Sequence, residues 1–145
     1  MALAVGTVAP AFTTKDTNGN TVSLSDFAGK TVVLYFYPKD DTPGCTKQAC
    51  SFRDAKDKYV SKGIVVLGVS ADDEVAHQAF TSKYSLNFPL LADTDKSIIK
   101  AYDVDGGGYA KRVTYIIDAD GKIIHVDANV NTPTHADDVL TALGL

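Results

Sequence analysis

Two uninterrupted apolar runs constrain this chain more than any other feature: TVVLYFY at Thr31–Tyr37 and IVVLGVS at Ile64–Ser70. Both are rich in β-branched and aromatic residues and lack polar alternation. That is the pattern of strands buried on both faces. The segment between them, from about Pro43 to Ser61, reads as a helix closed by Gly63. A strand–helix–strand unit crosses over right-handed, so the two strands are expected to be parallel with the helix over one face of their sheet.

The remaining segments add to this unit. Phe12–Asp16 and Thr21–Leu24 flank TNGN, a hairpin signal with Asn18-Gly19 at the turn. LSDFAGK reads as a short helical turn ended by Gly29. Asp73–Tyr84 reads as a helix with Val75, Ala79 and Phe80 on one side, NFPLLAD as extended chain, and Asp95–Tyr102 as a short helix. DVDGGGYAK reads as a flexible loop. Val113–Asp118 and Lys122–Ala128 form a second hairpin around ADG, and Thr134–Leu143 is a closing helix. The order predicts an α/β class: a thioredoxin-like sandwich with an N-terminal β-hairpin extension. No repeat or linker interrupts it, so residues 1–145 read as a single domain.

Bulk properties narrow the function classes. The net charge is −4 with both signs mixed along the chain, so no basic stripe marks a nucleic-acid partner. The apolar runs are too short to span a bilayer, so no membrane role is expected. MALAVGTVAPAF lacks a charged region followed by a long apolar stretch, so no secretory signal is expected. This points to a reducing compartment: the cytoplasm, or an organelle stroma if a transit peptide has been removed. Two cysteines in such a setting are more often catalytic, redox-active or metal-binding than structural.

Both cysteines fall in YPKDDTPGCTKQAC. Thr42 suits an N-cap and Pro43 the first helical position, which makes Cys45 the third residue of the helix. A thiol there meets unpaired backbone N–H groups and the positive end of the helix dipole, and both favour thiolate. Cys50 lies about 140° round the helix and about 7.5 Å further along its axis, a Cα separation of roughly 8–9 Å. A disulfide needs about 4.4–6.8 Å, so the pair can bond only after the first turns unwind. Ala49, Phe52 and Tyr59 lie near the Cys45 side of the helix, which ties Cys45 to a pocket and leaves Cys50 freer. Three chemistries compete for such a pair. The spacing is too wide for a CxxC oxidoreductase. A metal site is short of ligands, with only His77, His125 and His135 to add and no paired spacing among them. The third is a peroxide-reducing thiol with a resolving partner.

PKDDTPGC carries Pro38, Thr42 and Cys45 in the pattern P-x-x-x-T-x-x-C, which resembles the peroxiredoxin active-site loop. Together with CTKQACSFRD, GVSADDEVAHQAFTSKYSLNFPLLAD and RVTYIID, the likeness spans nearly the whole chain. It resembles the atypical two-cysteine peroxiredoxins of the bacterioferritin comigratory protein, or PrxQ, branch. The resemblance implies a peroxidase with Cys45 as nucleophile and Cys50 as resolving thiol, joined in turn as an intramolecular disulfide. It implies Arg112 beside the thiolate, Thr42 as a hydrogen-bond partner of the peroxide, Pro38 shielding Cys45, and the N–H groups of Gly44 and Cys45 as further donors. Hydroperoxide is the implied substrate and thioredoxin or a similar dithiol the implied reductant, with no metal, flavin or nicotinamide cofactor. Without a long C-terminal arm or a C-terminal resolving cysteine, a monomer is expected. Gln48 stands where an acid is expected in many members, a change expected to leave the chemistry unaffected. His77 is expected to be structural or exposed, His125 to face solvent, and Arg53 to pair with an acid or to orient Arg112. The alternative is a thioredoxin-like disulfide reductase or redox-dependent binding module. KRVTY lacks the proline that thioredoxins carry before a late strand, which favours the peroxidase.

Overall fold

The computed structural model describes residues 2–145. At its centre is the parallel pair expected from the two apolar runs: β3 (Thr31–Phe36) runs alongside β4 (Ile64–Ser70), with Leu34 opposite Leu67. β5 (Leu90–Ala92) extends the parallel set beyond β4. β6 (Val113–Ile117) pairs antiparallel with the other side of β3 and leads into β7 (Ile123–Asp127). The N-terminal hairpin, β1 (Thr13–Asp16) with β2 (Thr21–Ser23), joins the same sheet through an antiparallel pairing of β1 with β5. The result is a seven-stranded mixed sheet in the order β2-β1-β5-β4-β3-β6-β7.

Alternation along β3 divides the core in two. Val32, Leu34 and Phe36 face one layer with Leu91, Ile99, Tyr102 and Tyr115. Val33, Tyr35 and Tyr37 face the other with Cys45, Phe52, Tyr59, Phe80 and Leu90. Every residue of β3 after Thr31 is buried, as a strand covered on both faces requires. Truncating any one of these large side chains to alanine is worth about 2–5 kcal/mol.

The helix expected over Pro43–Ser61 is two: α1 (Pro43–Asp54) and α2 (Lys56–Ser61), with a break at Ala55 (φ −92°, ψ 5°). The Arg53 carbonyl, which would continue the helical ladder, instead accepts from Asn87 Nδ2 at 3.1 Å. α3 (Glu74–Tyr84) forms as expected, capped by Asp73 accepting from the Ala76 N–H at 2.9 Å. Its buried face is different from the one expected. Val75 is 73% exposed and Ala79 is also exposed, whereas His77 and Phe80 are buried. Counting apolar residues alone passes over His77, which can be buried because both of its ring nitrogens are partnered. α4 (Ser97–Ala101) and α5 (His135–Ala142) complete the fold. The glycine loop closes on itself: Gly106 N–H reaches the Tyr109 carbonyl at 2.8 Å, and Asp105 Oδ1 accepts from Gly107 N–H at 2.9 Å.

Candidate active site

Strand β3 ends, and the chain leaves the sheet through Tyr37 and half-buried Pro38 to reach α1. Asp41 takes a left-handed conformation (φ 56°), which turns the chain into the helix start. Its carboxylate is fastened to α3, accepting from Lys83 Nζ at 2.8 Å and from the Tyr84 hydroxyl at 2.8 Å.

Thr42 occupies the N-cap position with extended backbone (φ −102°, ψ 155°), as the sequence predicts, but its side chain does not cap. The hydroxyl turns back and donates to the Lys39 carbonyl at 2.9 Å. The first helical bond runs from Thr46 N–H to the Thr42 carbonyl at 2.8 Å. The N–H groups of Gly44 and Cys45 therefore lie ahead of the ladder. The Thr42 oxygen keeps its lone pairs for an incoming donor.

Cys45 is 1% exposed and Cys50 is half-buried; both are free thiols on the intact helix α1. Arg112, immediately before β6, reaches across to the helix start. Its Nη2 donates to Cys45 Sγ at 3.2 Å and its Nη1 to Gln48 Oε1 at 2.6 Å. Gly44 makes this approach feasible, since a Cβ there would sit 3.1 Å from Arg112 Nη2. Gln48 is completely buried, and its Nε2 has no hydrogen-bond partner. Gln48 is thus part of the site: it fixes the guanidinium that faces the sulfur. Charge alone does not show this contact, which the sequence reading did not include. Arg53 faces elsewhere, pairing with Asp54 at 2.9 Å and donating to the Tyr84 carbonyl at 2.7 Å.

Two buried histidines border the same layer. His77 Nδ1 meets Asp40 Oδ2 at 2.6 Å and Nε2 meets the Leu91 carbonyl at 2.9 Å. Burial pushes this imidazole down, but the hydrogen bond and charge of Asp40, helped by the Leu91 carbonyl, outweigh it, and the net shift is upward. His135 is the opposite case. Its Nε2 pairs with Thr114 Oγ1 at 2.8 Å, its Nδ1 lies 3.8 Å from Asp127 Oδ2 with no hydrogen-bond partner among the described residues, and burial lowers its pKa to about 4. His125 is half-buried on β7 rather than turned out to solvent. A groove of about 660 Å³ runs along β1, β2, β5 and the start of α3 and contains neither cysteine. No cluster of three potential metal ligands occurs among the described residues, and none of their helices is long and apolar enough to cross a membrane.

Comparison with known proteins adds to this geometry. The AhpC/TSA family profile matches residues 5–126. The chain is 49% identical over 131 residues to peroxiredoxin Q, chloroplastic, of Triticum aestivum, covering 88% of this chain and 60% of the wheat protein. It is 44% identical over 151 residues to the putative peroxiredoxin bcp of Coxiella burnetii, covering 99% of this chain and all of that protein. A structure concerned with alkyl peroxide reduction by the bacterioferritin comigratory protein of Xanthomonas campestris superposes with a TM-score of 0.88 at 31% identity. That match covers 99% of this chain and 98% of the other. A thiol held against an arginine at a helix start, on a seven-stranded α/β sheet, thus occurs in a chain that belongs to the AhpC/TSA family, with its relatives among the peroxiredoxins of the Q and Bcp type.

Proposed function

We propose that this chain is a thiol peroxidase that reduces hydrogen peroxide and organic hydroperoxides at Cys45. The observation that carries the reading is the 3.2 Å contact between Arg112 Nη2 and Cys45 Sγ at the start of α1. Donors fixed where charge develops and departs are the largest single source of rate in reactions of this kind.

The chemistry follows from the donor set. The Cys45 thiolate attacks one peroxide oxygen, forming an S–O bond as the O–O bond breaks. The departing oxygen leaves as water or an alcohol after taking up a proton, and Cys45 becomes a sulfenic acid. Arg112 stabilises both the sulfur anion and the oxygen that departs as the O–O bond breaks, with the N–H groups of Gly44 and Cys45 as additional donors. The Thr42 hydroxyl accepts a hydrogen bond from the peroxide, its own hydrogen being given to Lys39. Pro38 shields the sulfur. Cys50 then attacks the sulfenic sulfur, water leaves, and the intramolecular disulfide forms once α1 has unwound. Thioredoxin or a similar dithiol reduces it back.

The 1% exposure of Cys45 supports peroxide over a protein disulfide as the oxidant, because a small molecule needs far less of the sulfur surface. We assign residues 1–145 to one working domain, acting as a monomer in the cytoplasm or an organelle stroma, where both thiols return to the reduced state.

The test is the intact mass of the reduced protein after one equivalent of hydrogen peroxide. The expected result is loss of two hydrogens in the monomer, absent in Cys45→Ser and Cys50→Ser, with a trappable sulfenic acid in Cys50→Ser. A Cys45→Ser protein that still consumes peroxide overturns the assignment.

A further inference from the structure

We propose that Asp40 and His77 form a buried clamp that positions the loop from Pro38 to Thr42 for peroxide attack, so that His77, on α3, is a positioning residue for the reaction. The proposal rests on the assignment of Cys45 as the attacking thiol.

The geometry of the pair is unusual for a structural contact. His77 is completely buried, and Asp40 is only 8% exposed. Both ring nitrogens face acceptors: a carboxylate oxygen at 2.6 Å and a backbone carbonyl at 2.9 Å. A neutral imidazole carries a single N–H and would satisfy one of them. Both contacts are met when the ring is protonated or when the proton between Nδ1 and Oδ2 is carried by Asp40, and either way the two side chains are locked together inside the protein. Such a pair is costly to desolvate and is poor evidence for stability in itself, since a well-packed apolar pair often does as well. Its retention has to be read from what it holds.

It holds the end of the loop on every side. Asp40 Oδ1 accepts from the Tyr37 hydroxyl at 2.5 Å, and Tyr37 is the last buried residue before Pro38. The Asp40 N–H donates to Asp72 Oδ2 at 2.8 Å, and Ser70 Oγ donates to the same oxygen at 2.7 Å. His77 Nε2 completes the set at the Leu91 carbonyl. One residue, Asp40, thus joins the end of β3 and, through His77, the strand β5 to the loop by its side chain, and the end of β4 by its backbone N–H. Two residues on, the Thr42 hydroxyl is directed by its bond to the Lys39 carbonyl, the residue just before Asp40. A shift of Asp40 moves both Lys39 and Thr42. The loop is then a fixed platform beside a helix that has to unwind.

The test separates positioning from folding. In a Cys50→Ser background Cys45 is the only thiol, and two reactions report on it: oxidation by hydrogen peroxide and alkylation by iodoacetamide. Alkylation needs a thiolate and access, but no group aligned on a departing peroxide oxygen. His77→Gln places its amide near the Nε2 position and loses Asp40; His77→Asn places its amide near Nδ1 and keeps Asp40. Misplacement by about 1 Å can cost 10²-fold. We expect the peroxide rate to fall about tenfold or more in His77→Gln, with most of it recovered in His77→Asn and alkylation unchanged in both. Tyr37→Phe, which removes one hydroxyl from the clamp, is the gentler arm and is expected to lose a few-fold in peroxide rate alone. Equal losses in both reactions, or an unaltered peroxide rate in both His77→Gln and Tyr37→Phe, overturn the clamp. A Cys45→Ser control that still consumes peroxide overturns the peroxidase assignment instead, so the two failures are distinguishable.

Discussion

Arg112 and Cys45, 67 positions apart in the chain, meet at 3.2 Å because β6 lies antiparallel beside β3 and brings the residue ahead of it to the helix start. The second guanidinium contact, to Gln48 Oε1 at 2.6 Å, fixes the plane of the fork. Arg112→Lys keeps the charge but cannot span both partners. Removing one preorganised donor from such a site costs roughly 10²–10³ in rate. The expected outcome is a loss of that size in the second-order rate of Cys45 oxidation for Arg112→Lys, followed by stopped-flow with limiting peroxide. A rate within threefold of wild type would remove Arg112 from the mechanism.

Gln48→Leu tests the fixing of that fork separately. It removes the acceptor for Nη1 and leaves Nη2 free to swing from the sulfur. The expected loss is smaller than for Arg112→Lys, about tenfold, since the charge and its donors remain. Measured beside the Arg112 variant, it should also be non-additive, because both act through one guanidinium. Additive losses would show that Gln48 acts independently of Arg112.

The step that joins the two cysteines depends on how firmly α1 is held. Ser51, next to Cys50, accepts a hydrogen bond from the Ala136 N–H in the first turn of α5 at 2.9 Å. A hydrogen bond of this type is worth about 1 kcal/mol net, or roughly fivefold in an opening equilibrium. Ser51→Ala is therefore expected to speed disulfide formation by up to about fivefold after the sulfenic acid has formed, while leaving the peroxide step unaltered. Rapid quenching at a series of times, with mass detection of the disulfide, separates the two steps. A resolution rate that does not rise would show that opening of this contact does not limit it.

The fold and the place of Cys45 at a helix start were legible because they rest on local signals. Two apolar runs of strand length with a helix between them leave little choice but a parallel pair. A Thr-Pro-Gly lead-in places Cys45 three residues into a helix. What was missed depends on distant partners. Gln48 looks like an ordinary helix residue until Arg112 arrives from another part of the chain. His77 reads from sequence as either structural or exposed, and it is buried because Asp40 and the Leu91 carbonyl converge on it. At the break at Ala55 the Arg53 carbonyl meets Asn87, more than thirty residues further along the chain than the break. Thr42 is the mixed case: its cap position follows from sequence, but the direction of its hydroxyl follows from the loop.

Gly68 shows the same limit in the core, and it yields a stability prediction. In sequence it is one small residue within a buried strand. In the structure a Cβ at Gly68 would lie 2.8 Å from Leu90 Cδ2 and 2.9 Å from Cζ and the hydroxyl of Tyr35. Tyr35 is itself stacked on Phe52 at 4.9 Å, so it has little room to retreat. Overpacking of this kind costs about 1–3 kcal/mol. Gly68→Ala is expected to lower the urea midpoint by the corresponding amount with an unchanged slope; an unaltered midpoint would mean that the Tyr35 stack yields freely.

His135 gives the pH dependence a sign. Burial lowers its pKa to about 4 from an ordinary value near 6.5, so the folded protein keeps it neutral while the unfolded chain protonates it. Between those values the unfolded state binds more protons, and stability falls as the pH drops through that window. The gap caps the effect at about 3 kcal/mol. His77 works in the other direction: its pKa is raised, so its contribution is fully present below about 6.5 and is lost as pH rises through its folded value. A single stability profile therefore mixes the two. His135→Gln removes one of them while leaving an amide to meet Thr114. Urea unfolding of wild type and His135→Gln from pH 7.5 to 4.5 should show the wild type losing stability more steeply below about pH 6.5, and the variant following a shallower course. Parallel curves would mean that His135 is not held neutral in the folded protein.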